Sequence, residues 1–319
     1  MSRSSEQIAP ADIAVRLPNH LLNNPKLGAG QRGLLHHVLL YTIGKERGGE
    51  CWVELTYGRA IFLGILQGLT EFLPVSSSGH LVLAQALLGL QLPGLTLEIM
   101  LHAGTALAIA VFFRADLARL LGGAMRREQA SSRFLGLLVL ASLPAAVIGV
   151  VAGEAVGAAM DSARLAAGML LVTAGLLVLG PRMASGTPKA VSMRPSQALW
   201  IGLAQAFAIL PGISRSGSTI VVGLLCGLER RQAARFSLLL ALPVMLGGAA
   251  VDLFKLARQP VPELAAGALQ VGPLLAGVLT AFALGLVAIR LLLLAVQRAK
   301  LAWFGLYCAV VAAVALALT

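Results

Sequence analysis

The chain has 319 residues, of which 58% are hydrophobic and 12% charged. A soluble globule carries roughly 25% charged residues, so this composition excludes an ordinary water-soluble domain and points to a bilayer. The net charge of +11 does not read as a nucleic-acid signature, because no basic run is interleaved with aromatics.

Residues 1–56 differ from the rest. They hold six Lys/Arg, five Asp/Glu and turn-rich Pro, Asn and Gly, and their apolar piece 34–43 is too short to span. No charged region, apolar region and small-residue cleavage site follow in signal-peptide order. The segment reads either as a poorly ordered extension or as an upstream mis-start, with Val53 as the candidate initiation residue. Peptides from 1–52 in the mature protein would sink the second reading. Cys51, Cys226 and Cys308 form neither a metal spacing nor an even-numbered framework.

The first membrane-grade segment breaks in the middle. An apolar piece at 60–73 meets Pro74, then a Ser/Gly turn, then a second apolar piece at 81–92. Neither piece crosses a ~30 Å core at ~1.5 Å per residue. The pattern predicts a re-entrant hairpin of two half-helices, the second beginning near Leu81. Three full spans are expected to follow, at 97–113, 134–153 and 164–180.

The same pattern then repeats. At an offset of 138 residues, Gln67 falls on Gln205, Ser76-Ser-Ser-Gly79 on Ser214-Arg-Ser-Gly217, and Leu87-Leu-Gly-Leu90 on Leu225-Cys-Gly-Leu228. Two halves follow, about 59–182 and 197–319. The second hairpin is expected at 198–210 and 219–228, with the second half-helix beginning near Thr219, and its spans at 236–254, 272–293 and 301–319. Three crossings per half make the second half inverted relative to the first. The predicted fold class is therefore an all-α polytopic membrane protein of two inverted-topology repeats. Loop cations set its orientation. Fourteen Lys/Arg fall on one side against four on the other, excluding the extension, which makes the first side cytoplasmic. The first hairpin then enters from outside.

Six ionisable residues lie inside apolar sequence: Glu71, His80, Glu98, His102, Arg215 and Asp252. Intramembrane charges are costly and point to function. Glu98 and His102 are one helical turn apart and can simply pair. Asp252 lies near a helix end. All three map to the outer approach, while their repeat counterparts are Phe236, Leu240 and Arg114. This suggests a polar mouth open outward. Arg215 has two readings. It is a structural cation paired with Glu71, or a bidentate phosphate ligand. The serines and glycines of both tips favour the second reading, because Ser76, Ser78, Gly79, Ser214, Ser216, Gly217 and Thr219 offer hydroxyls and backbone N–H groups at half-helix N-termini. Capping explains one or two of these serines. A phosphoryl group suits the set: Arg215 stabilises charge, a serine or a water attacks in line, and Glu71 or His80 moves the proton.

Two segments carry a resemblance to a known family. Gln67-Gly-Leu-Thr-Glu-Phe-Leu-Pro-Val-Ser-Ser-Ser-Gly-His80 and Pro211-Gly-Ile-Ser-Arg-Ser-Gly217 resemble the two signature motifs of bacterial undecaprenyl-diphosphate phosphatases of the bacitracin-resistance type. The likeness covers about 57–319. It implies inverted repeats with re-entrant hairpins in the bacterial inner membrane, an active site facing the periplasm or exterior, and hydrolysis of undecaprenyl diphosphate to recycle the lipid carrier for peptidoglycan. It also implies that bacitracin competes for the substrate. By position, Glu71 is the second acid of the family's E/Q-x-x-x-E element and a candidate metal ligand, with a divalent cation, magnesium or calcium, as cofactor and no organic one. Ser77 matches the serine favoured as nucleophile, and His80 the histidine proposed as proton donor or alternative nucleophile. Arg215 matches the arginine that holds the diphosphate. Gln67 takes the first E/Q position, where an amide is a weaker ligand than a carboxylate. The competing reading is a polyprenyl-phosphate transporter or flippase, since broken helices at the midplane are common in transporters. Undecaprenyl diphosphate and membrane lipid are the implied partners. The oligomeric state is left open.

Overall fold

The structure is a computed structural model that describes residues 55–88, 94–160, 162–183, 193–258 and 271–318. The expected extension up to residue 54 lies outside the described residues. Those residues form twelve helices and no strand: α1 (Tyr57–Thr70), α2 (Ser77–Leu88), α3 (Gly94–Phe112), α4 (Arg114–Met125), α5 (Gln129–Val151), α6 (Gly153–Met160), α7 (Ala163–Met183), α8 (Pro195–Phe207), α9 (Arg215–Leu225), α10 (Arg230–Arg258), α11 (Val271–Gln297) and α12 (Leu301–Leu318).

Apolar runs become long helices because lipid offers no partner to a backbone N–H or C=O. Five helices are long and apolar enough to cross a membrane: α5, α7, the Arg230–Val251 part of α10, α11 and α12. The remaining expected span, 97–113, falls in α3, whose apolar portion Ile99–Phe112 is shorter. Val139, Leu143, Val147 and Val150 on α5 are exposed. Such a stripe would be a liability in water and is an ordinary outer surface in lipid. This is a multi-pass membrane protein.

Two pairs of short helices interrupt the long ones. In the first, α1 and α2 have 14 and 12 residues and meet across a turn containing Pro74. In the second, α8 and α9 have 13 and 11 residues and meet across a turn containing Pro211. The second helix of each pair starts earlier than the sequence places it, at Ser77 and Arg215 rather than near Leu81 and Thr219. Capping is the reason. Ser76 Oγ accepts the N–H of Gly79 at 3.2 Å, and Ser214 Oγ that of Gly217 at 3.1 Å. Each cap satisfies an orphan donor of the first turn. The serine-rich segments are therefore first helical turns, not open turns.

Small residues set the closest contacts. Ala60, Gly64 and Gly68 line one face of α1, and Ala198, Gly202 and Ala206 recur at matched positions on α8; all six are buried. The first face lies on α11 and the second on α5. A Cβ at Gly68 would sit 2.7 Å from the carbonyl oxygen of Ala281, and one at Gly64 would collide with that of Gly277. Close backbone approach of this kind is how helices gain contact in lipid. Gly64→Val is expected to destabilise the detergent-solubilised protein by about 1–3 kcal/mol through overpacking. An unchanged thermal midpoint would show that α1 and α11 can part freely. On another side, Arg235 of α10 donates to Asp116 of α4 at 2.9 Å and stacks 5.7 Å from the centroid of Phe134 on α5, tying three helices together.

Candidate active site

The two short-helix turns meet. Helix α1 ends at Thr70, and Glu71 is its C-cap, its N–H bonded to the Gln67 carbonyl at 2.9 Å. The Glu71 side chain therefore leaves the helix at the break. Its carboxylate, 1% exposed, forms an ion pair with the guanidinium of Arg215 through Oε1. Oε2 accepts from Ser77 Oγ at 2.6 Å and from Gln67 Nε2 at 2.9 Å. His102 Nε2 lies 3.7 Å from the same oxygen. One buried carboxylate thus gathers groups from α1, α2, α3 and α9. Ser77 opens α2 and Arg215 opens α9, so the positive ends of two helix dipoles converge on it.

Backbone contacts hold the junction. Ser216 Oγ donates to the Leu73 carbonyl at 3.3 Å, across the two turns. A Cβ at Gly79 would stand 2.8 Å from Cα of Gly212. Gly212 itself has φ +92 and packs against the Ala166 carbonyl, so that position demands glycine. Around the carboxylate, Ser77, Ser78 and Arg215 stay partly exposed while Ser76, Gly79, His80, Ser214, Ser216 and Gly217 are buried. The accessible face of the junction therefore includes two hydroxyls, the guanidinium and the partly exposed ring of His102. Arg215 pairs with Glu71 through Nη2, and its planar fork carries further donors.

A sequence model of the family described as bacitracin resistance protein BacA matches residues 60–314. The chain belongs to this family. Three similar relatives illustrate it. A protein of Syntrophotalea carbinolica named undecaprenyl-diphosphatase is 42% identical over 261 residues, covering 80% of this chain and 95% of the relative. One of the same name from Christiangramia forsetii is 42% identical, covering 79% and 94%. A third, from Methanosphaera stadtmanae, is 36% identical, covering 82% and 97%.

In this member of the BacA family, Glu71, Ser77, Arg215 and Gln67 come together as the sequence leads one to expect. Other residues are placed differently. His102, expected with Glu98 at an outer mouth, has its partly exposed ring 3.7 Å from the Glu71 carboxylate, because α3 packs beside α1. The side chains of Glu98 and Asp252 lie outside the described ones. Phe236 and Leu240, the repeat counterparts of Glu98 and His102, are buried apolar residues of α10. Thr219 turns away from the junction, donating to the Arg215 carbonyl at 2.8 Å and contacting Ser237. Ser214 and Gly217 are occupied in closing the first turn of α9.

His80 does not reach Glu71. Its Nδ1 lies 2.8 Å from the Ser76 carbonyl and its Nε2 2.9 Å from the hydroxyl of Tyr307 on α12. The two rings are parallel, within 3°, with centroids 5.6 Å apart. Tyr307 is the residue that sequence reading missed; the available signal was a phenol within the uncharged run 301–319. Ser76, between the break and Ser77, has φ +67. A non-glycine residue there costs about 1–2 kcal/mol.

Proposed function

We propose that the protein is an undecaprenyl-diphosphate phosphatase, hydrolysing undecaprenyl diphosphate to undecaprenyl phosphate and inorganic phosphate. Recycling of the lipid carrier for cell-wall synthesis follows, and with it bacitracin resistance, since bacitracin competes for the same diphosphate. The observation that carries this reading is the Ser77–Glu71 hydrogen bond of 2.6 Å beside Arg215, in a chain of the BacA family. A hydroxyl bonded to a carboxylate is the arrangement of an activated nucleophile.

The residues divide the work. Arriving diphosphate draws the free donors of Arg215, and the convergent N-termini of α2 and α9 add to the positive field. Ser77 Oγ attacks the terminal phosphorus as Glu71 takes its proton. The bond to the bridging oxygen breaks, and undecaprenyl phosphate leaves with that oxygen. Water then attacks the phosphoserine, Glu71 returns the proton to Ser77 Oγ, and inorganic phosphate departs with the water's oxygen. Ser78, partly exposed beside Ser77, offers a further hydroxyl to the phosphate. Between Ser77 and His80, the free geometry of Ser77 favours it as nucleophile, since both ring nitrogens of His80 are engaged.

The family resemblance adds a divalent cation, magnesium or calcium. Gln67 Oε1 is buried without a hydrogen-bond partner one helical turn from Glu71, and suits a hard cation. Among the described residues no group of three or more His, Cys, Asp or Glu forms a closed metal site. The donors therefore fit a cation held by Gln67 and Glu71 and completed by substrate phosphates. When bound, the cation would neutralise charge on the diphosphate.

The short helices are about 16–21 Å long at 1.5 Å per residue, less than a ~30 Å core. This supports two re-entrant hairpins from opposite faces whose tips meet at Glu71, within inverted repeats. The loop-charge bias supports an inner-membrane protein whose site opens to the periplasm or exterior. Purified protein is expected to release phosphate from undecaprenyl diphosphate. Chelation should lower the rate more than tenfold, and magnesium or calcium should restore it. Transport of a polyprenyl phosphate in proteoliposomes without any phosphate release would sink the hydrolase reading.

A further inference from the structure

We propose that Tyr307 is a positioning residue for this hydrolysis: its hydroxyl, bonded to Nε2, holds the His80 ring in place, and His80 in turn holds Ser76 in the left-handed conformation from which Ser77 reaches Glu71. The proposal rests on the phosphatase reading above and assigns His80 a structural task in place of proton transfer or attack.

The tautomer follows from the partners. A carbonyl only accepts, so the nitrogen facing Ser76 carries the hydrogen, and Nδ1–H donates at 2.8 Å. Nε2 then holds a lone pair and accepts the Tyr307 hydroxyl at 2.9 Å. His80 is 7% exposed and its ring is stacked on the phenol of the half-exposed Tyr307, so these two contacts orient it. The Ser76 carbonyl also receives the backbone N–H of His80, at 3.2 Å.

The backbone of Ser76 needs such a hold. Among the described residues, three other than glycine have positive φ: Ser76, Arg127 and Ala299. Arg127 and Ala299 follow the ends of α4 and α11, where a left-handed residue is a common helix stop. Ser76 precedes a helix. Its repeat counterpart Ser214 caps α9 with φ −74 and ψ 116, and Ser218 stands at the position matching His80. The left-handed serine and the histidine thus occur together at one turn and are both absent from the matched one. Strain of this kind persists where surrounding structure over-determines it, and it clusters at functional sites.

The matched turn has its own fastener. Thr173 of α7 donates to the Gly212 carbonyl at 2.8 Å and accepts the N–H of Ser214 at 3.0 Å. Thr173 belongs to the last helix of the first half, and Tyr307 to the last helix of the second. Each turn is pinned by the opposite half. Met169, the counterpart of Tyr307, packs against Gly212. Tyr307 and Thr173 therefore do equivalent work at the two turns, one of them through His80.

Amide side chains separate the roles of the two nitrogens. In His80→Asn the amide stands where Nδ1 was and can donate to Ser76; in His80→Gln it stands where Nε2 was and cannot. The expected order of kcat is wild type, then His80→Asn, then His80→Gln and His80→Ala. Tyr307→Phe keeps the stacked ring, and its kcat is expected to fall by about 10²-fold, the cost of misplacing a reacting group, with KM nearly constant. Nitrogen-15 NMR of histidine-labelled protein, with His80→Asn to identify the signal, should show the neutral Nδ1–H form in wild type and loss of the Nε2 hydrogen bond in Tyr307→Phe. Wild-type kcat in Tyr307→Phe, or His80→Asn as inactive as His80→Ala, would overturn the proposal. Wild-type protein that releases no phosphate would overturn the phosphatase reading beneath it. The NMR result distinguishes these failures, because it needs no turnover.

Discussion

Arg215→Ala is expected to abolish phosphate release, lowering kcat by about 10³-fold or more, the scale on which a phosphate-clamping arginine acts. The same change should cost stability. Glu71 is 1% exposed and Arg215 is its closest countercharge, so the variant leaves a buried anion faced only by the more distant His102 ring, 3.7 Å away. Breaking a buried pair by removing one partner costs about 3–5 kcal/mol. Loss of activity alone would therefore be ambiguous between unfolding and chemistry. The double change Arg215→Met with Glu71→Gln resolves it, because two neutral groups need no countercharge. It is expected to regain the thermal midpoint in detergent while remaining inactive. Activity recovered along with stability would show that the pair serves only the fold.

Ser77→Ala is expected to be the more selective lesion. The hydroxyl donates to Glu71 at 2.6 Å and is partly exposed, so its loss removes one hydrogen bond and little packing. Stability should change by about 1 kcal/mol. Removing a nucleophile that acts as a unit with its base costs about 10⁴-fold or more in kcat. Rapid quench of wild type into neutral detergent, which preserves both phosphoserine and phosphohistidine, with terminally labelled substrate should trap phosphate on Ser77. In Ser77→Ala no label should remain on the protein. Label on His80, or turnover of Ser77→Ala at the wild-type rate, would move the attack elsewhere.

The sequence made the two broken helices visible, because both lie in motifs that repeat at a fixed offset; it named Glu71 as one partner for Arg215 but favoured a phosphate ligand there, and the structure holds the ion pair. A repeated motif carries tertiary information: two matched turns in one bilayer have reason to meet. What escaped was information carried by single side chains across distant helices. One-turn spacing sets His102 beside Glu98, because that is the relation a linear sequence displays. Its contact with Glu71 depends on how α3 lies beside α1, which no spacing shows. Tyr307 stands 227 residues from His80, in a run with no other polar neighbour to flag it. The second helices start earlier than the sequence suggests for a local reason. Serine lowers helix propensity but favours the cap, and a segment rich in it reads as a turn until the capping bond is seen.

The exchange of pins between halves bears on how the protein is made. Chains fold from the N-terminus as they are synthesised. The first turn, with Glu71 and Ser77, enters the membrane long before α9 supplies Arg215 or α12 supplies Tyr307. Until then the carboxylate lacks its countercharge and Ser76 lacks its anchor, so the first half alone does not assemble the site. Competence arrives in two stages, charge first and geometry second. A chain cut before α12 is therefore expected to keep the Glu71–Arg215 pair but lose the contact of Tyr307 with His80.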